Sequence, residues 1–300
     1  MSKIYRAMTH DGSAQILIIN SSDISKEAIK IHEAKQTAAT VLSRVLTAAS
    51  LMGSTLKDKG NTITVNFRGD GKCGHVLAVS DYMGNVKGYV QNPFTDLPTV
   101  YGKINVKDAV GKGTLNIVKD TGEKEPYIGI VPLKSGEIAE DITNYYAESE
   151  QVPSVCALGE TFEKGELVSS GGYLIMLLPL ADEKTVEKIE ENIKTVPSVS
   201  EMLSKGYKNA QIAETVLEGI EFDFFDEYEV GYCCDCSRER MGNALLTLNP
   251  IDLYNILVQD KVIEVGCQFC KKKYKFTGED IEIIRKAKKA EKKGPQTDNK

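Results

Sequence analysis

Cys234-Asp235-Cys236, followed after residues 237–266 by Cys267-Gln268-Phe269-Cys270, is the stretch on which the reading of this chain turns. Four thiols stand in two close pairs, and no histidine lies near either of them. Two short knuckles can each present two sulfurs to one ion at about 2.3 Å, so the spacing predicts a tetrahedral all-sulfur zinc site. The segment around them makes that metal structural. Residues 231–278 are too few to bury a self-sufficient core, and folds of this size depend on a metal, a disulfide or a partner. A structural zinc supplies about 10–16 kcal/mol of folding free energy, as large as the net stability of a whole domain.

Working outward, Ala244, Leu245 and Leu248, then Leu253, Ile256 and Leu257, recur at helical spacing, and Pro250 suits the first turn of the second helix. Val262–Val265 and Lys273–Phe276 read as a hairpin around the second knuckle. Other readings of the cysteines compete. A thioredoxin-type Cys-x-x-Cys wants a helix after the motif, where Lys271–Phe276 looks like a strand. A zinc deaminase needs a His-x-Glu partner, and none of His10, His32 and His75 begins one. A static zinc ribbon that docks a partner is what spacing by itself favours. Cys233-Cys234-Asp235-Cys236 also contains a Cys-x-x-Cys, so spacing permits Cys233 with Cys236 as ligands too.

The 300 residues suffice for one sizeable domain and a smaller one. A net charge of −6 and a pI near 5.4 argue against general nucleic-acid binding. The basic exception is residues 285–300, with seven Lys or Arg against Glu291 and Asp298, read as a frayed helix end and solvated tether. The apolar run Ile16–Ile19 is too short for a signal peptide. Tyr173–Ala181 falls short of the roughly 20 residues that span a bilayer, so no membrane contact is expected. An odd number of scattered cysteines, seven, fits reduced cytoplasmic thiols and metal better than a disulfide framework.

Ahead of the cysteines the chain reads as an α+β core over residues 1–180. Tyr5–Thr9 and Gln15–Ile19 flank a hairpin turn at Asp11-Gly12. Ile31, Ala34, Ala38, Val41, Val45, Ala49, Met52 and Leu56 fall at steps of three and four and predict one long helix, capped by Asp23 or Ser25. Strands are expected at Ile63–Phe67, Val76–Val79, Val86–Val90, Thr114–Val118, Tyr127–Val131 and Tyr173–Leu178, and a helix over Ser135–Glu148. Nothing here has the order of a catalytic site: Gly111-Lys112-Gly113 lacks the spacing of a phosphate loop, and Cys73 and Cys156 read as small buried residues. Residues 181–230 give short amphipathic helices broken at Pro197 and Gly206, too narrow in apolar face to stand alone. Glu221–Val230 then interleaves acids with Phe222, Phe224, Phe225 and Tyr228, either a linker with a packed aromatic edge or a segment poised to come loose.

Taken together these residues resemble the heat shock protein 33 family of redox-regulated chaperones. The resemblance rests on Cys234-Asp-Cys236-Ser-Arg238-Glu-Arg240 and Cys267-Gln-Phe-Cys270, with core blocks Gly69-Asp-Gly71, Gly88-Tyr-Val-Gln-Asn-Pro93, Lys124-Glu-Pro-Tyr127, Val131-Pro-Leu133, Ser135-Gly-Glu-Ile-Ala-Glu-Asp141 and Ser149-Glu-Gln-Val-Pro153. It covers residues 3–278 and leaves the tail, 279–300, without an assignment.

The resemblance implies an ATP-independent holdase, not an enzyme, held inactive while Cys234, Cys236, Cys267 and Cys270 bind one zinc ion. Oxidation would pair Cys234 with Cys236 and Cys267 with Cys270 as redox-active disulfides and release the ion. The 181–230 linker would then unfold, the protein would dimerise, and captured unfolding clients would pass to an ATP-dependent foldase. The family pattern favours Cys234 over Cys233 as ligand. Chemically, Arg238, Arg240 and Lys271–Lys273 are expected to set positive charge beside the sulfurs, and thiolate character with access governs oxidation. A Cys-x-Cys bridge is expected to be strained and so reversible. The architecture expected is thus an α+β core (1–180), a metastable helical linker (181–230), a zinc switch (231–278) and a basic tail. A zinc-ribbon adaptor and a thiol-disulfide oxidoreductase are the alternatives.

Overall fold

The chain is organised on a helix that has no exposed side. From Thr37 to Gly53 every residue but Arg44 is buried, and a helix of that kind must be covered all round. In this computed structural model, which describes residues 1–291, two five-stranded antiparallel sheets cover it. The elements in chain order begin with β1 (Ser2–Thr9), β2 (Ala14–Asn20), α1 (Ser22–His32), α2 (Gln36–Gly53), β3 (Thr62–Gly69), β4 (His75–Asp81) and β5 (Val86–Val90). Next come α3 (Val106–Val110), β6 (Gly113–Asp120), β7 (Tyr127–Pro132), α4 (Ala139–Tyr145), β8 (Ser154–Glu163) and β9 (Glu166–Leu177). The helices α5 (Glu183–Thr195), α6 (Val199–Ser204) and α7 (Asn209–Val216) lead to β10 (Phe222–Val230). The chain finishes with α8 (Arg238–Leu245), α9 (Pro250–Asp260), β11 (Val262–Gly266), β12 (Lys273–Thr277) and α10 (Gly278–Glu291). Strand order is β10-β1-β2-β9-β8 in the first sheet and β5-β4-β3-β6-β7 in the second.

Two compact units result, Met1–Cys233 and the residues from Cys234 on. In the first, α2 packs between the sheets with Leu17, Leu42, Leu46, Phe67 and Ile117 among the fully buried side chains. The opposite face of the first sheet carries a second core, where Tyr5, Ile16, Ile18 and Ile175 meet Ile189 of α5, Met202 of α6 and Ile212 and Val216 of α7. The helices predicted at 181–230 therefore exist and lean on the sheet. Asp182 caps α5 by accepting from the Lys184 and Thr185 amides, and Ser198 caps α6 through the Glu201 amide.

Several expectations need correcting. The single long helix is two, because Glu33 adopts a left-handed φ of 51° and the Lys35 amide turns to the Pro93 carbonyl at 2.8 Å. Neither Asp23 nor Ser25 caps it: α1 starts at Ser22, with both residues inside the helix, and Leu56 lies beyond the end of α2. The helix expected from Ser135 begins only at Ala139. Buried Asp141 holds the preceding loop open by accepting from the amides of Lys134, Ser135, Gly136 and Ile138 at 2.7–3.3 Å. Strands β8 and β10 were not expected at all, and β10, the acidic aromatic stretch, is an edge strand of the first sheet.

The second unit has the two helices and hairpin anticipated for it, plus α10. Its core is Leu245, Leu253, Ile263, Tyr274, Phe276 and Ile281. Ala244 and Leu248, expected inside, are exposed, and the side chain of Leu257 and residues 292–300 of the tail lie outside the described residues. α10 sits tightly on α8 because residue 242 is glycine; a Cβ there would stand 2.3 Å from Ile284 Cδ1.

Candidate metal centre

The two knuckles are shaped by their neighbours. Cys234–Cys236 run into α8, whose first turn is closed by Ser237 accepting from the Arg240 amide at 3.1 Å. Cys267–Cys270 form the tip of the β11–β12 hairpin. There the Lys271 amide donates to the Cys267 carbonyl and the Cys267 amide to the Lys272 carbonyl, both at 2.9 Å, with Lys271 left-handed at φ 59°.

These loops bring four sulfurs together. Cys234 Sγ is 3.6 Å from Cys267 Sγ, Cys236 Sγ is 3.3 Å from Cys270 Sγ, and all four lie within 4.8 Å of one another. A tetrahedron built on 2.3 Å bonds has its sulfurs about 3.8 Å apart, so the set fits one ion, and a sulfur-only donor set suits zinc. Cys267 is buried and the other three are half-buried.

Tyr274, directed inward from β12, supports the site. Its hydroxyl donates to the Cys236 carbonyl at 3.1 Å and stands 3.2 Å from Cys236 Sγ. Burial pushes the Cys234 and Cys270 thiols up. Burial also acts to raise Cys236, but hydrogen bonds from Tyr274 and the other three sulfurs outweigh it and bring that thiol down to about 7. The Tyr274 hydroxyl is pushed up to about 12, first by its bond to Cys236 and then by burial.

The expected cationic surround is largely occupied elsewhere. Arg238 pairs with Asp280 at 2.8 Å, donates to the Lys275 carbonyl and covers the Phe276 ring. Arg240 pairs with Asp235, and Lys273 with Glu264 at 2.8 Å. Lys272 lies over the Tyr274 ring, 5.4 Å from its centroid. These cations brace the module more than they face its sulfurs.

The remaining cysteines stand apart. Cys233 belongs to the first unit, where its amide donates to the Val86 carbonyl and its sulfur lies 3.8 Å from Asn85 Oδ1. Cys73 and Cys156 are buried, which pushes their thiols up to about 11 and about 12. Tyr274 is the site residue that sequence reasoning missed; the hairpin pattern placed it on a strand, and its alternation with Lys273 and Lys275 was the available signal.

A family model described as Hsp33 protein matches residues 2–277. The chain belongs to the Hsp33 family. Its relatives include a protein named 33 kDa chaperonin from Clostridioides difficile, 42% identical over 287 residues that cover 94% of this chain and 98% of the relative. Another of that name from Acetivibrio thermocellus is 41% identical over 280 residues, covering 93% and 95%. The crystal structure of the 33 kDa chaperonin (heat shock protein 33 homolog) of Thermotoga maritima matches with a TM-score of 0.86 at 34% identity, covering 96% of this chain and 99% of that one. Membership of the Hsp33 family supports a chaperone function and not an enzymatic one. The mixed helix-and-sheet fold with its C-terminal cysteine cluster is the one the resemblance implies. No helix among the described residues is long and apolar enough to cross a membrane.

Proposed function

We propose that this chain is a redox-regulated, ATP-independent holdase of the cytoplasm, switched by Cys234, Cys236, Cys267 and Cys270. The observation that carries the reading is the convergence of these four sulfurs within 4.8 Å in a chain of a chaperone family. Bound zinc would supply a crosslink between the two knuckles, contributing about 10–16 kcal/mol to a unit whose own core is small. Reduced, the four thiolates tie Cys234–Cys236 to the hairpin tip. Oxidised, two thiolates of a pair lose two electrons and form one S–S bond, peroxide taking up the electrons and two protons to leave two waters. The sulfurs so bonded no longer serve as thiolate donors, and the second unit loses its tie.

The consequence passes along the chain. β10 ends at Val230, and residues 231–233, held on β5 through Val86 and Gly88, separate it from the first knuckle, so loosening that knuckle would withdraw one of two anchors on the far end of the strand. Release of α5–α7 would expose Tyr5, Ile16, Ile18 and Ile175, an apolar face suited to unfolding clients. Dimerisation when oxidised and transfer of clients to an ATP-dependent foldase complete the proposed cycle. The resemblance pairs Cys234 with Cys236 and Cys267 with Cys270, whereas the shortest sulfur separations run between knuckles; peptide mapping of the oxidised protein decides between them.

The test starts from zinc-loaded reduced protein treated with peroxide at raised temperature. Zinc release, free thiols and suppression of aggregation of an unfolding client are followed together. A holdase gains suppression as one zinc leaves per chain. Loss of structure without gained suppression indicates a zinc-ribbon adaptor, and catalytic turnover of a dithiol indicates an oxidoreductase; either result overturns the proposal.

A further inference from the structure

β10 is the edge strand of its sheet, and much of its outer face is exposed. It pairs with β1 from Phe222 opposite Thr9 to Val230 opposite Ser2, yet Val230 alone among its residues is buried, and Phe224 and Phe225 are more than half exposed. Phe225 is the extra residue of a bulge, since Arg6 faces Asp226 and Ala7 faces Phe224. Beyond the backbone ladder, Val230 and Tyr228 pack into one core, Phe222 edges the other and the Phe224 ring lies 4.8 Å from that of Tyr5, and the rest of the strand is held by charge. Lys3 Nζ meets Glu227 at 3.3 Å, Arg6 grips both carboxylate oxygens of Asp226 with Nε 2.7 Å from Oδ1, and the His10 ring lies between Glu221 at 3.3 Å and Asp223 at 2.8 Å. Ion pairs this exposed are individually weak and fade with salt.

β1 has the opposite character. Ile4 and Ala7 are fully buried, so the strand stays fixed in the sheet whatever β10 does. Bulges and charged side chains keep an edge strand from recruiting another chain; β10 carries the bulge and the acids, whereas the charges of β1, Lys3 and Arg6, repel basic strands and leave it open to acidic ones. Without it β1 presents a row of unpaired amides and carbonyls, no proline, no acid, and the cations Lys3 and Arg6.

We propose that the β1 edge is a strand-acceptor site, at which an extended, acid-bearing segment of an unfolding client replaces β10 by backbone pairing. Strand addition draws affinity from main-chain hydrogen bonds that any extended segment offers, and the two vacated cations, Lys3 and Arg6, select for acid. This rests on the proposed function, in which oxidation is what frees β10.

The probe is a fluorescent peptide copying Phe222–Val230, beside a second in which the positions of Asp223, Asp226, Glu227 and Glu229 are lysine. With the oxidised full-length protein the acidic peptide is expected to bind and to slow amide exchange along β1. The lysine peptide should bind about tenfold or more weakly, and salt should narrow the difference. A variant carrying Asp226→Lys and Glu227→Lys sets cations beside Arg6 and Lys3; it should free β10 without oxidant and bind the acidic peptide while reduced. If oxidation speeds exchange over 222–230 but the peptide leaves β1 exchange unchanged, the acceptor site is overturned and the holdase reading stands. If oxidation leaves 222–230 protected, the holdase reading fails and the variant alone decides. Absence of peptide binding to the variant, or a variant whose β10 stays protected, overturns the inference.

Discussion

Replacing Ile212 by alanine separates the docking of the helices on the first sheet from the chemistry of the cysteines. Ile212 is fully buried in the second core, on α7, against the sheet face that carries Ile16 and Ile18. Cutting a buried isoleucine to alanine costs about 2–5 kcal/mol, the spread reflecting how far the site collapses into the cavity. If α5–α7 open as a local unit, that cost raises their open population about thirtyfold to a few thousandfold, at 1.4 kcal/mol per factor of ten. Hydrogen exchange of the reduced protein reads this directly. Amides of residues 183–217 should exchange faster by that factor, while amides of α2 and β3 change little and zinc stoichiometry is unaltered, because the sulfurs lie in the other unit. The same variant should suppress client aggregation without oxidant. Equal acceleration across α2 and β3 would show that the helices do not open separately, and unchanged exchange over 183–217 would show that α7 is not what anchors them. Either result refutes the reasoning.

Asn192 is buried on α5 and donates to the Val216 and Glu218 carbonyls at 3.1 and 2.9 Å, closing the end of α7. Asn192→Ala leaves those carbonyls short of a donor and should cost about 1–3 kcal/mol, seen as faster exchange confined to α5–α7. Arg44 holds Glu160 through two hydrogen bonds, at 3.1 and 2.9 Å, and Glu137 through a third. With the Glu160 side chain only 5% exposed, Arg44→Met should destabilise the first unit by about 3–5 kcal/mol in denaturant unfolding, and Arg44→Met with Glu160→Leu should recover much of the loss. Asp11 accepts from Thr185 Oγ1 and Ser13 Oγ, both at 2.7 Å, and the Thr185 bond is the leading cause that holds its carboxyl well below the usual carboxylate range. A depressed carboxyl stabilises above its unfolded pKa and loses that contribution as pH falls below it. Stability in denaturant should therefore fall as pH drops below about 4, and Asp11→Asn should lessen that fall.

How much of this was legible in the sequence follows the range of the forces involved. Helices α5–α7 were readable because Pro197 and Gly206 break the chain locally and the apolar spacing survives between the breaks. The hairpins were readable for the same reason; Asp11 and Gly12 make their turn with Gly12 at φ 72°. The cysteine pairs pointed through spacing alone to the candidate metal site, where the four sulfurs do converge. β10 was hidden because its acids obscure a strand pattern, and their partners Lys3, Arg6 and His10 stand at the other end of the chain. The break at Glu33 was hidden because nothing in the apolar spacing from Ile31 to Ala38 announces it, and the Pro93 carbonyl that receives the Lys35 amide is remote in sequence. The positive surround of the sulfurs was misjudged because the sequence shows Arg238 and Arg240 but not that Asp280 and Asp235 reach them.

The pairing of Ser2 with Val230 bears on how the protein is made. A ribosome extending the chain at about 5–20 residues per second emits the first hairpin some tens of seconds before β10 emerges to close the sheet. Throughout that interval the newborn chain carries an open, basic edge of its own, and neighbours on the same messenger, each presenting an identical strand, are at risk of joining there. Expression yield should therefore suffer when initiation is dense and recover when polysomes are thinned, a dependence set by translation and independent of the finished fold's stability.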